Sequence, residues 1–196
     1  MQQEHCYFVI HKPYGMESQF KPNFPGALLG DLGFDFPEGT HAIGRLDKTS
    51  EGLLLLTTNK TITKRLFQGP VPHRRIYFVQ VRRLVTPERL EQLRSGVRIR
   101  ISGDEWYTTP PCEVDLTDPP PYPSPRNLPP QLQSTWLQIT LTEGKFRQVR
   151  KMVAAIHHPC IRLLRESIED LHLDGLQAGQ VRTLDEASFF RLLKLS

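Results

Sequence analysis

The chain is poor in cysteine and has no long apolar run. Its three cysteines, Cys6, Cys112 and Cys160, are an odd number without a CxxC pair. That pattern indicates neither a disulfide framework nor a thiolate zinc site, and it fits a reducing cytosol. No apolar stretch approaches the roughly 20 residues a membrane-spanning helix needs; the leucine run at 53–56 is far shorter. The chain opens without a charged-then-apolar leader, so neither secretion nor membrane association is expected. Walker A, GxGxxG after a strand, GxSxG and HExxH are all missing. Nothing therefore marks a phosphate loop, a dinucleotide site, a serine-hydrolase elbow or a zinc hydrolase. His157, His158 and Cys160 are the only clustered metal-ligand types. Capping of the preceding helix is the better reading for them, because no second pair completes a site.

What is present is one domain's length, 196 residues, enough for one core or two lobes. The formal charge of +4 hides a strong asymmetry. Residues 60–100 hold eleven Lys/Arg against two acids, and residues 145–165 hold six against none. The remainder carries 8 basic and 19 acidic residues, or −11. Seventeen of the 25 basic residues are arginine, which matches phosphate with a planar fork. Such a distribution points to a polyanionic partner, nucleic acid first.

Short strands alternate irregularly with helices. Strands are expected at 7–11, 53–58, 73–81, 97–101, 112–116, 136–141, 161–165, 171–173 and 181–184. Asn59 is a candidate cap for a helix to 67; Thr86, Pro87 and Gly96 bound a second. Helices over 147–156 and after Asp185 complete the set, with one helical turn at 27–31 in an otherwise irregular stretch. Residues 110–130 contain nine prolines and read as an extended connection, a candidate lobe boundary. The pattern is α+β with a mixed sheet, not a doubly wound fold.

Two segments could carry chemistry. GRLDKTSEGLLLLTTN (44–59) places four charged side chains directly before a strand with no polar position, and Asp47 is its natural catalytic candidate. A simple loop turn, with Asp47 paired to Arg45 or Lys48, explains the same residues. EGKFRQVRKM (143–152) reads as a turn into a helix whose first turn holds Arg147 and Arg150, an arrangement suited to phosphate. Solvated basic residues at helical spacing explain it equally.

These two segments, with RRIYFVQV (74–81) between them, resemble the RNA pseudouridine synthases of the ribosomal small-subunit synthase A family. YFVIHKPYG (7–15) resembles that family's first motif, and residues 157–184 resemble its C-terminal core. The resemblance covers the chain except 109–131 and is closest to members acting on the large subunit without an S4 RNA-binding domain. No such domain is expected here. It implies a pseudouridine synthase fold over 1–196: a mainly antiparallel central sheet flanked by helices, with two lobes around a catalytic cleft. It implies isomerisation of a uridine in domain V of 23S rRNA, in the cytoplasm, by a monomer with no obligate protein partner, cofactor or metal.

Roles follow from the same resemblance. Asp47 matches the catalytic aspartate, Arg45 an arginine that enters the RNA stack, Tyr77 the tyrosine on the target base, and Arg150 the aspartate's basic partner. Arg74, Arg75, Arg82, Arg83, Lys145, Arg147 and Lys151 are candidate RNA contacts. Arg75 stands where lysine is more frequent, and Phe146 where asparagine is common. Two other readings are a nonenzymatic RNA binder on this fold and a nucleosidase-like hydrolase, which would need Glu51 or Glu143 as a second carboxylate.

Overall fold

The computed structural model describes residues 4–22, 25–69 and 71–195. It divides the chain into two units, Met1–His73 with Arg165–Ser196, and Arg74–Leu164. The joints fall just before one strand and inside another. The proline-rich segment does not separate lobes; it lies within the second unit.

The first unit begins with β1 (Tyr7–Lys12), β2 (His41–Ile43), β3 (Glu51–Thr57) and α1 (Ile62–Gln68). Strand β3 is buried at all seven positions. It pairs antiparallel with β1 over Gly52–Thr57 and with β2 over Leu55–Thr57. A central strand covered on both faces has no place for a polar alternation, which is why its sequence reads LLLL. Strand β1 is equally buried. The irregular stretch before β2 covers one of its faces: Phe34 and Phe36 meet Phe8 edge-on, at centroid distances of 5.5 and 5.4 Å. Residues 23 and 24 of that stretch lie outside the described set. Asn59 does not cap α1. Its Oδ1 accepts from the Thr61 amide at 3.1 Å, closing a turn that precedes a helix starting at Ile62.

The second unit carries β4 (Arg75–Arg82), α2 (Pro87–Ser95), β5 (Arg98–Ser102), β6 (Glu105–Thr108), β7 (Glu113–Leu116), β8 (Ser134–Leu141) and α3 (Gln148–Ala155). Strand β8 lies between β4 and β7, antiparallel to both. Helix α2 forms as its local code dictates: the Thr86 hydroxyl accepts from the Arg89 amide and Pro87 starts the helix. Gly96 ends it at φ 98°, where an added Cβ would sit 2.2 Å from the Thr109 carbonyl oxygen. The β5–β6 hairpin, of which only the first strand is expected from sequence, turns on Gly103-Asp104. The proline-rich segment is anchored from below: Arg162, 5% exposed, donates to the Tyr122 and Pro123 carbonyls at 2.9 and 3.1 Å.

β9 (Cys160–Ile168) begins in the second unit and ends in the first, followed by β10 (Leu171–His172), β11 (Val181–Leu184) and α4 (Glu186–Leu192). β11 pairs with β1, and Asp185 caps α4 by accepting from the Ser188 amide at 2.8 Å.

Candidate active site

The loop 44–50 is pinned at nearly every residue. Gly44 sits at φ 73°, and an added Cβ would come within 2.5 Å of the Phe67 ring, so only glycine starts this loop. One hydroxyl clamps Leu46: Ser18 Oγ donates to its carbonyl at 2.8 Å and accepts from its amide at 3.0 Å. The Asp47 carbonyl accepts from the Ser50 amide at 2.9 Å, and the Lys48 carbonyl from the Gly15 amide at 2.8 Å. Arg45 points to solvent and Asp47 is half-buried. A carboxylate whose neighbours on both sides are fixed loses little freedom when a substrate arrives.

The sequence motifs assign no role to Lys12, the last residue of β1. The structure buries it completely and aims its ammonium at the loop. Nζ donates to the carbonyls of Met16 and Pro13 at 2.7 and 2.9 Å, with the Lys48 carbonyl at 3.5 Å. Burial pulls its pKa down to about 8, against the opposing pull of the Glu51, Glu17 and Asp47 carboxylates. The signal in the sequence is a lysine closing a strand whose other residues are all buried. Unfolded lysine keeps its proton to about 10.5, whereas folded Lys12 loses it near 8. Unfolding therefore takes up a proton between those values, and this group's contribution to stability rises with pH across that window. Chemical denaturation at pH 7.5 and 9.5 should give wild type a larger gain, or smaller loss, than Lys12→Met; equal pH responses would contradict it.

The second unit holds the remaining candidates. Tyr77 shares a face of β4 with Arg75, Val79 and Val81 and is 8% exposed, part of an apolar cluster that includes Val149, Met152 and Leu163. Arg150 lies on α3, half-buried, with Nη1 3.4 Å from Cys160 Sγ. Arg147 is not in the first helical turn. It stands at the cap with φ 54°, exposed, and its carbonyl receives the Lys151 amide at 3.1 Å. The turn ahead of α3 is built around Glu143 by Gln148 and Tyr107, neither of which the sequence singled out. Gln148, 3% exposed, accepts from the Lys145 amide at 2.8 Å and donates to Glu143 Oε1; the Tyr107 hydroxyl donates to Glu143 Oε2. That bond to a carboxylate, with lesser burial, pushes the Tyr107 pKa up to about 12. Glu143 is thus committed to structure, and Glu51 is 2% exposed, which leaves the hydrolase reading without a ready second carboxylate.

The candidate RNA contacts divide. Arg45, Arg74, Arg82, Arg83, Lys145 and Arg147 are exposed, and Lys151 is half-buried. Arg74 pairs with Glu113 at 3.3 Å, and Arg83 reaches the His157 carbonyl at 3.3 Å. Arg75 is corrected: at 6% exposure its guanidinium lies against Gly144, inside the unit. Arg162 and Arg165 are likewise buried, so the basic stretch 145–165 presents fewer charges than its count suggests. The histidine pair does cap the preceding helix, through its backbone. Backbone amides of His157 and His158 cap α3 through the Ala154 and Val153 carbonyls, while His158 Nδ1 contacts the Arg82 carbonyl. Among the described residues no group of three or more His, Cys, Asp or Glu is placed to hold a metal, and no helix is long and apolar enough to cross a membrane. Burial, with nearby carboxylates, pushes the Cys112 thiol up to about 11, away from the reactive thiolate form.

Comparison with known proteins agrees with these motifs. A family described as RNA pseudouridylate synthase matches residues 6–155. Ribosomal large subunit pseudouridine synthase E of Xanthomonas axonopodis pv. citri is 38% identical over 174 residues, covering 86% of this chain and 88% of that one. Ribosomal large subunit pseudouridine synthase B of Bacillus subtilis is 31% identical over 194 residues, 99% of this chain and 74% of that one. A crystal structure of a pseudouridylate synthase shares the fold, with a TM-score of 0.77 at 24% identity, over 96% of this chain and 74% of the other.

Proposed function

The chain belongs to the RNA pseudouridylate synthase family, and from that premise we propose that it isomerises one uridine in domain V of 23S rRNA, with Asp47 as the catalytic carboxylate. The observation that carries the assignment to Asp47 is the clamped loop, where Ser18, Ser50 and Gly15 hold the backbone on both sides of that residue. The choice of a large-subunit substrate is supported by relatives named for that subunit.

The reaction breaks the N1–C1′ bond, turns the uracil, and joins C5 to C1′. The proton displaced from C5 is balanced by the one N1 gains, so no atom, hydride or electron need be supplied from outside. One carboxylate suffices, as nucleophile or as the group that moves a proton at the sugar. Tyr77 is proposed to lie on the target base and Arg150 to supply the positive charge an ionised carboxylate favours. Extruding a nucleotide costs a few kcal/mol, and Arg45, exposed on the same loop as Asp47, is proposed to fill the space left in the stack. Arg74, Arg82, Arg83, Lys145, Arg147 and Lys151 would then grip phosphates.

Pseudouridine mapping of 23S rRNA from cells lacking the gene tests this reading. One domain V site should be missing, restored by wild type and not by Asp47→Ala. An unchanged map would refute the substrate; rescue by Asp47→Ala would refute the catalyst.

A further inference from the structure

Two aromatic rings of the second unit stand open to solvent: Trp106 on β6, 53% exposed, and Phe146 in the turn before α3, 69% exposed. Each has a cation on its face. Arg98 Cζ lies 4.9 Å from the centre of the Trp106 ring, and Lys151 Nζ lies 5.2 Å from that of Phe146. Lys151 also donates to the Ile101 carbonyl at 3.1 Å, so one ammonium ties α3 to β5 beside the hairpin's indole. In the hairpin register Arg100 is opposite Trp106 and Arg98 opposite Thr108, which sets both arginines on the indole's side. Arg98, Arg100 and Trp106, with Lys151 and Ala154, line a groove of about 670 Å³.

The charge here favours an anion. Segments 98–108 and 143–151 hold six basic residues (Arg98, Arg100, Lys145, Arg147, Arg150, Lys151) against three acids (Asp104, Glu105, Glu143). Two of the acids are already engaged: Asp104 with Arg100 at 3.0 Å, and Glu143 with Tyr107 and Gln148. A ring flanked by cations suits a stacked base with its phosphate alongside. A duplex keeps its base faces stacked on one another and offers them to no side chain. Unpaired nucleotides do.

We propose that this hairpin–helix face is a second RNA contact, in which unpaired bases of the substrate stack on Trp106 and Phe146 while Arg98 and Lys151 take the adjoining phosphates. The inference rests on the RNA-modifying function proposed above and adds a single-strand requirement to it. Neither ring belongs to the residues assigned to the chemistry.

Binding of the full chain to a fluorescein-labelled 12-mer oligouridylate, and to a 12-base-pair RNA duplex, tests the contact without turnover. Trp106→Ala and Phe146→Ala should each raise Kd for the single strand about tenfold and leave duplex affinity nearly unchanged. Trp106→Phe and Phe146→Tyr, which keep a ring, should restore most of the loss and guard against a folding defect. Unchanged single-strand affinity in both alanine variants would overturn the proposal. Equal losses on both probes would overturn it too, since stacking needs unpaired bases. If wild type left the 23S map unchanged but the ring variants still lost affinity, the proposed function would fall and this contact would stand.

Discussion

Asp47→Ala and Asp47→Asn should lower isomerisation by on the order of 10⁴-fold, while affinity for RNA stays within a few-fold of wild type. The two changes separate chemistry from grip. Asp47 is half-buried on a loop whose backbone contacts come from amides, carbonyls and the Ser18 hydroxyl, so removing its carboxylate leaves those contacts in place. Asparagine keeps the shape and loses the charge, so it should be as inactive as alanine if the ionised form does the work. Release of tritium from C5-labelled uridine in an rRNA transcript reads the reaction directly, because forming the C5–C1′ bond expels that hydrogen. Binding is read separately with labelled transcript. Turnover near wild type in either variant would remove Asp47 from the mechanism.

Gly52→Ala should cost at least about 3 kcal/mol of stability and lower the thermal midpoint by roughly 10 °C. Gly52 lies at φ 101°, and an added Cβ would stand 2.3 Å from the carbonyl oxygen and 2.7 Å from the amide nitrogen of Arg165. Both partners are backbone, so neither can rotate aside. Arg165 is itself fixed there, since its Nε donates to the Leu53 carbonyl at 2.8 Å. Gly175→Ala is the matched control: at φ 77° with nothing within 4 Å, it carries only the backbone penalty, about 1–2 kcal/mol. Equal midpoints for the two variants would mean the close approach to Arg165 contributes nothing. Because Gly52 follows the Asp47 loop by a few residues, the variant should also lose activity beyond what its folded fraction explains.

Sequence reasoning worked where the physical cause is local. Thr86, Pro87 and Gly96 place α2 because a cap hydroxyl, a missing amide and a positive φ each act within one turn of chain. Asp185 before α4 is the same case. Strand β3 was legible because burial on both faces leaves a mark in every residue. Asn59 was misread by two positions, since an Asx turn and a helix cap use the same side-chain chemistry. The second strand of the β5–β6 hairpin escaped notice because Glu105-Trp106-Tyr107-Thr108 does not alternate cleanly; Trp106 is turned outward against Arg98.

By itself the sequence determined the α+β class, the helices with explicit caps, the buried leucine strand and, through long motifs, the synthase family. Those features depend on near neighbours in the chain or on wording too long to arise by chance. Only the tertiary structure decided which charges lie on the surface and which are internal struts. Lys12, Arg75, Arg162 and Arg165 look like the other basic residues, yet all four are buried. Lys12, Arg162 and Arg165 hold carbonyls there. The reason is that a cation's burial is set by backbone oxygens brought from elsewhere: Arg162 meets Tyr122 from 40 positions away, and Arg165 meets Leu53 from 112. No local pattern encodes a partner at that separation, so net charge could point to RNA but not say which arginines would touch it.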